Sequence, residues 1–185
     1  MWITKRTISM AGATAIGAVS MTLVIGAFGA LGKTHSNNAN HHGKRTGAPL
    51  IDESLAPSQP TDPAFHGVTP GSLPWVLKRG EVRLKRDGKL ALQVKGLVIP
   101  VAPFTGTPGP VTKISASLYC GADLNTAPAD TTQQVPISRK GDARIHDTHF
   151  TVPATCLAPV ILVHPTLSTG EAMGTYIAVD GWRLS

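Results

Sequence analysis

Residues 80–101, GEVRLKRDGKLALQVKGLVIPV, decide how this chain folds. Apolar and polar or charged residues alternate on both sides of the pair Asp87-Gly88. A period of two is typical of a β-strand that has one buried face and one face in water. The stretch therefore predicts two antiparallel strands joined by a tight turn.

The turn of this hairpin follows from the apolar pattern. A two-residue loop at Asp87-Gly88 is the usual choice for such a pair, but it would place the large apolar side chains of the two strands on opposite faces. A three-residue loop, Arg86–Gly88, pairs Leu84 with Leu90 and brings those side chains to one face. It also puts Gly88 at a left-handed position, where glycine has no Cβ to clash. We expect the three-residue loop.

The chain beyond the hairpin predicts more short strands and no amphipathic helix. Residues 111–119 alternate, and their inward set is expected to be Thr112, Ile114, Ala116 and Leu118. The runs 97–99 and 157–163 are continuously apolar, as in strands buried on both faces. Seven or eight short antiparallel strands predict an all-β, immunoglobulin-like sandwich of two sheets over residues 74–185.

Composition bounds the possible functions of the 185 residues. Only 15% of the residues are charged, whereas about a quarter is typical of soluble domains. Lys and Arg give a formal net charge of +6, and no concentrated basic face is visible in the sequence. Mild basicity favours an acidic cell-envelope polymer as a partner, and nucleic-acid binding is not expected.

The N-terminal residues 1–32 have the layout of an export signal. Positive charge in residues 1–6 precedes an uncharged, largely apolar run over residues 7–32. Cleavage is possible at two small-x-small sites, residues 27–29 and 30–32. The alternative is an uncleaved membrane anchor formed by an apolar helix, because about 20 residues suffice to span a bilayer. Both alternatives place the remainder outside the cytoplasm, either secreted or anchored at the cell surface.

Residues 33–73 are rich in Pro, Asn and His and have almost no apolar periodicity. Such a composition predicts a flexible, disordered linker. A histidine-rich tract can bind zinc or copper, and this one contains His35, His41 and His42. Three imidazoles without fixed geometry make a weak site, so we expect no metal there.

The chain has two cysteines, Cys120 and Cys156. In an exported protein such a pair is expected to form a disulfide. The alternative is a redox or metal-binding pair, but there is no Cys-x-x-Cys motif and 35 residues separate the two. A structural disulfide is therefore the prediction.

The sequence lacks the common catalytic motifs. The sequence has no Gly-x-Ser-x-Gly, no phosphate-binding glycine loop with Lys and no His-Glu-x-x-His. The densest polar group is Asp142, His146, Asp147 and His149. On a strand the two histidines would point to opposite faces, whereas in a loop they could converge on a metal with either aspartate. We expect solvent-facing residues, no metal and no other cofactor.

Six blocks of the sequence resemble a group of small exported proteins of actinobacteria and similar bacteria. The blocks are RDGKLALQVKGLVIP (86–100), VTKISASLYC (111–120), VPIS (135–138), GDARI (141–145), CLAPVILV (156–163) and YIAVDGW (176–182). The resemblance covers about residues 74–185. It implies an extracytoplasmic all-β domain with one disulfide, and it brings no functional residues with it.

These observations lead to a functional hypothesis and two alternatives. The first is a non-catalytic exported module that binds an envelope component or another protein. It predicts an exposed aromatic or apolar patch that includes Tyr119, Tyr176 or Trp182. The second is a metal-dependent protein or enzyme that uses residues 142–149. The third is a purely structural envelope module, which the sequence does not distinguish from the first.

Overall fold

A computed structural model describes residues 48–122, 127–170 and 173–181. All of them belong to the second of two compact units, Lys44–Ser185. The expected signal or anchor helix, the linker histidines and Trp182 lie outside the described residues. Within the described ranges every regular element is a β-strand, and no helix there is long and apolar enough to cross a membrane.

The described chain forms eleven short strands, and the all-β prediction is confirmed. Eight of them make a curled antiparallel sheet in the order β6-β5-β9-β11-β1-β3-β4-β8; β7 also pairs with β5, and β2 and β10 form a separate parallel pair. Their bounds are β1 Ile51–Pro57, β2 Thr69–Pro70, β3 Arg79–Leu84, β4 Leu90–Lys95, β5 Val111–Tyr119, β6 Asp130–Thr131, β7 Val135–Pro136, β8 Ala143–Asp147, β9 Val160–Leu167, β10 Thr175–Tyr176 and β11 Ala178–Asp180.

Strand β1 makes the sheet continuous. Its first half, residues 51–54, pairs with β3, and its second half, residues 55–57, pairs with β11. We call β1-β3-β4-β8 the first arm and β1-β11-β9-β5 the second arm. Because one strand belongs to both arms, the fold is a curled sheet, and the expected immunoglobulin-like sandwich of two separate sheets is not confirmed.

The hairpin of β3 and β4 has the predicted register. Leu84 lies opposite Leu90, and Val82 lies opposite Leu92. The backbone N–H of Lys85 donates to the carbonyl of Lys89 at 3.0 Å, which leaves the three-residue loop 86–88. Gly88 has a φ of 81°, in the left-handed region. The apolar pattern therefore selected the correct loop over the two-residue alternative.

The expectation of a flexible linker over residues 33–73 is wrong for its last part. Strand β1 lies inside that range, and Ile51, Leu55 and Ala56 are buried. Of the prolines that suggested a linker, Pro49 precedes this strand, Pro57 is its last residue, and the others follow it. The folded unit therefore begins before residue 74.

The core lies inside the curl, and a second apolar cluster covers the outside of the second arm. Ile114, Ala116 and Leu118 are fully buried as predicted, whereas Thr112 is exposed. The opposite face of β5 was expected to be wet, yet Ser115, Ser117 and Tyr119 on it are buried, and only Lys113 is exposed. Apolar side chains from the segment before β2 cover it, and the outer cluster contains Tyr119, Leu162, Tyr176 and Val179 packed by Phe65, Val68 and Val160.

The predicted disulfide between Cys120 and Cys156 is present, with a Cα–Cα distance of 4.9 Å. It joins the end of β5 to the segment that leads into β9. Beside it, the backbone N–H of Gly121 donates to the carbonyl of Leu157 at 2.6 Å. The bond indicates an oxidising, non-cytoplasmic location.

Candidate functional site

The outer face of the first arm carries a groove of about 540 Å³. All four strands of that arm contribute to it, and most of its side chains are polar. The lining residues are Asp52, Glu53, Ser54, Glu81, Val82, Arg83, Ala91, Leu92, Gln93, Arg144 and His146. The groove is therefore a property of the whole arm, because no single loop forms it.

Strand register arranges the groove side chains in two rows across the sheet. One row is Asp52, Arg83, Ala91 and His146, and the other is Ser54, Glu81, Gln93 and Arg144. Residues opposite each other in antiparallel strands point to the same face. With neighbouring strands about 4.8 Å apart, each row spans roughly 14 Å. Ala91 is the short side chain in the first row.

Two of the acidic groups in the groove already have cationic partners. Asp52 lies 3.3 Å from the guanidinium of Arg83, and both side chains are 55% exposed. Glu81 accepts hydrogen bonds from Nε and Nη2 of Arg79, at 3.0 and 2.7 Å. Such exposed pairs add little stability, about 0–1 kcal/mol each. They neutralise two of the three carboxylates that line the groove, whereas Glu53 has no ion pair among the described residues.

The opposite side of the groove, on β4 and β8, presents unpaired polar groups. The side chains of Gln93, Arg144 and His146 make no hydrogen bond or ion pair with any other residue in the described ranges. Arg144 and His146 are exposed, and Gln93 is half-buried. A guanidinium with five free donors, next to an amide and an imidazole, suits an anionic or hydroxyl-bearing ligand.

Positive charge is concentrated on the arm that carries the groove. Of the eleven Lys and Arg in the described ranges, ten lie in residues 78–95 or 139–144, and Lys113 on β5 is the exception. Six Asp and Glu belong to the same arm and its loops. No basic face is visible in the sequence because these residues come from two distant segments. The placement of β8 beside β4 joins them.

Comparison with protein-family models, curated proteins and solved structures found no match. The resemblance to small exported actinobacterial proteins therefore stays a prediction.

The four candidate metal ligands do not converge. Asp142 and His146 lie on one face of the β8 segment but four residues apart, about 13 Å along a strand. Oδ1 of Asp142 accepts the backbone N–H of Gly96 at 3.0 Å, and Oδ1 of Asp147 accepts that of His149 at 2.8 Å. Asp142 thus joins the segment before β8 to the end of β4, and Asp147 stabilises the turn that follows β8. The described residues contain no group of three or more His, Cys, Asp or Glu that could hold a metal ion.

The expected aromatic patch is wrong for both tyrosines. Tyr119 is 4% exposed and Tyr176 is fully buried. The ring of His66 stacks on Tyr119 with a centroid distance of 5.0 Å, and the ring of Phe65 meets Tyr176 edge-on at 5.5 Å. The segment before β2, which was expected to be linker, is what covers them.

Proposed function

We propose that this protein is an exported, non-catalytic module that binds an anionic, hydroxyl-bearing polymer of the cell envelope in the groove of the first arm. Residues 1–32 would direct it out of the cytoplasm, as a cleaved signal or as an anchor. The resemblance to small exported actinobacterial proteins supports this destination, and so does the disulfide. The unpaired guanidinium of Arg144 at the edge of the groove carries the proposal.

The form of the groove supports an extended ligand. It is open and crosses four strands, whereas pockets for small molecules are concave and enclose most of the ligand surface. Arg79 and Arg83 pair with two of its three carboxylates, and its open side offers donors from Gln93, Arg144 and His146. An acidic polysaccharide or a phosphodiester polymer supplies both the negative charge and the hydroxyl groups that these side chains would bind.

The test is a comparison of two charge-neutralising variants of the full chain. Arg144→Gln removes a cation from the groove, and Lys113→Gln removes the same charge from β5 on the other arm. Binding to a purified anionic wall polymer would be measured by calorimetry at low and high salt. We expect R144Q to weaken binding about tenfold, as for the loss of a charged hydrogen bond, and K113Q to change it less than about twofold. Raising the salt from about 0.05 to 0.5 M should weaken binding further.

Three results would contradict the proposal. Equal losses in R144Q and K113Q would show that only net charge matters. Equal affinity for a neutral glucan would remove the anionic requirement. Equal affinity for double-stranded DNA of matched charge would indicate general attraction to polyanions.

A further inference from the structure

A second concavity of about 220 Å³ lies at the side of the core, and it shares no residue with the groove. It is formed where the segment between β2 and β3 meets the start of β5, the end of β9, and the residues of β10 and of the link from β10 to β11. Its lining residues are Gly71, Ser72, Leu73, Trp75, Ile99, Pro110, Val111, Pro165, Leu167, Met173, Thr175 and Ile177. We call it the Trp75 cavity.

The chemistry of the Trp75 cavity selects against charged ligands. None of its twelve lining residues is ionisable, and most are aliphatic. A charged group placed here would lose its hydration without gaining a partner, at a large cost. An uncharged, mainly apolar molecule loses little on entering and gains the burial of its surface.

One donor in the wall, besides the buried hydroxyl of Thr175, has no partner among the described residues. Trp75 is only 3% exposed and its indole N–H makes no hydrogen bond to a described residue, but its nitrogen is not among the fully buried unpaired atoms and so remains accessible. Buried indole N–H groups normally have a partner. The indole nitrogen lies 3.4 Å from the position that a Cβ on Gly71 would take, and Gly71 also lines the cavity. The donor is therefore at the cavity wall, beside the space that the missing side chain leaves.

The volume sets the size of the occupant. An apolar cavity of roughly 150 Å³ holds a benzene molecule. About 220 Å³ accommodates a ring with two or three further heavy atoms. We propose that the Trp75 cavity is a binding site for a small, uncharged organic molecule with a ring-sized apolar body and one acceptor oxygen, which accepts a hydrogen bond from the indole N–H of Trp75.

Three matched probes test the proposal on the full chain. Acetophenone has the ring and a carbonyl acceptor, ethylbenzene has the same size without the acceptor, and benzoate adds a charge. Binding is followed by the indole N–H signals in ¹H–¹⁵N NMR spectra, and Trp75→Phe assigns the Trp75 signal among the three tryptophans. We expect acetophenone to move that signal downfield and to bind at least about threefold more tightly than ethylbenzene. Benzoate should not bind.

A cavity-filling variant separates this site from binding elsewhere. In Gly71→Ala the new methyl would meet the indole nitrogen of Trp75 at 3.4 Å and Cγ2 of Ile177 at 3.6 Å, which are ordinary contacts. The variant should fold, and its methyl occupies the space beside the donor. We expect about tenfold weaker acetophenone binding, whereas Leu157→Ala, at a side chain that is 71% exposed, should leave it unchanged.

Four results would overturn the proposal. The Trp75 signal could stay in place with acetophenone up to about 1 mM; a Kd of that size corresponds to a binding free energy of about −4 kcal/mol. Ethylbenzene could bind as tightly as acetophenone, which would remove the role of the donor. Benzoate could bind as tightly as acetophenone, which would contradict the selection against charge. The G71A variant could bind acetophenone as tightly as the wild type, which would place the ligand elsewhere.

Discussion

The carboxyl group of Asp180 should make the stability of this protein depend on pH, and in an unusual direction. Asp180 ends β11 with its side chain partly buried, and its Oδ1 accepts the backbone N–H of Ile161 at 2.8 Å. Burial raises the pKa of Asp180 from 3.8 to about 6; the hydrogen bond from Ile161 opposes this shift, and the charge of Glu53 adds to it. The folded protein thus holds this proton more tightly than an unfolded chain does.

The sign of the effect follows from proton linkage. Between pH 4 and 6 the folded state binds more protons at this site than the unfolded state, so the free energy of unfolding falls as pH rises through this window. Above pH 6 the carboxylate is ionised in both states and the full destabilisation is present. A shift of about two units corresponds to at most about 3 kcal/mol, and partial exposure of the side chain reduces this to about 1–3 kcal/mol.

Asp180→Asn should remove this pH dependence while keeping an oxygen that can accept from Ile161. Urea unfolding of D180N and of the wild type, measured from pH 4 to pH 7, gives the difference in unfolding free energy at each pH. We expect D180N to gain about 1–3 kcal/mol relative to the wild type between pH 4 and pH 7. Contributions of other titrating groups, His164 among them, cancel in this difference.

Asp180→Ala is the matched control, because it removes the charge and the acceptor together. Its unfolding free energy should follow that of D180N at every pH, lowered by about 1–3 kcal/mol for the unsatisfied N–H of Ile161. A difference between D180N and the wild type that is constant from pH 4 to pH 7 would refute the argument. It would mean that Asp180 titrates alike in the folded and unfolded states.

Three further predictions concern the fold. Gly88→Ala should destabilise the hairpin, because φ is 81° and a Cβ would overlap the carbonyl of Phe150. The control is Gly106→Ala, which has a φ of 76° and open space around it and should lower the free energy of unfolding by only about 1–2 kcal/mol. If urea unfolding shows equal losses for the two variants, the overlap at Gly88 is excluded. Replacing Cys120 and Cys156 with Ser should lower the unfolding free energy by up to about 3–4 kcal/mol, and a chain whose melting temperature is unchanged would show that the bond adds no stability. Tyr176→Phe removes the hydrogen bond from the tyrosine hydroxyl to the carbonyl of Pro63 at 2.8 Å. We expect the free energy of unfolding to fall by about 1 kcal/mol and proteolysis between residues 58 and 70 to become faster. Proteolysis at the wild-type rate would show that this contact does not anchor the segment.

The parts of the fold that could be predicted from the sequence are those that local alternation determines. The β3–β4 register follows from where Leu84 and Leu90 stand relative to Gly88, which is information within a dozen residues. Strand β1 was missed because its alternation is broken: Asp52, Glu53 and Ser54 are all exposed. The strand changes partner after Ser54, and only long-range pairing explains such a pattern.

Coverage of a sheet by a distant segment is likewise invisible in local sequence. Residues 111–119 alternate as a strand with one wet face does, yet Ser115, Ser117 and Tyr119 are buried. Serine is compatible with either environment, because it finds hydrogen bonds when buried; Ser117 shares one with Thr131 at 2.7 Å. The polar alternation was therefore a true signal for the strand but not for its exposure.

Strand β1 connects the candidate groove to the pH-sensitive carboxyl group. Ser54 lines the groove, and its carbonyl accepts the backbone N–H of Gly181, the residue after Asp180. Glu53 also lines the groove, and its charge raises the pKa of Asp180. An anionic polymer bound near Glu53 would raise this pKa further, because like charges disfavour ionisation. By linkage, protonation of Asp180 should then tighten binding between pH 7 and pH 5 in the wild type and leave D180N with a flatter profile. If the affinities of the wild type and D180N change with pH in parallel, the polymer lies on the β4 and β8 side of the groove, next to Arg144 and away from β1.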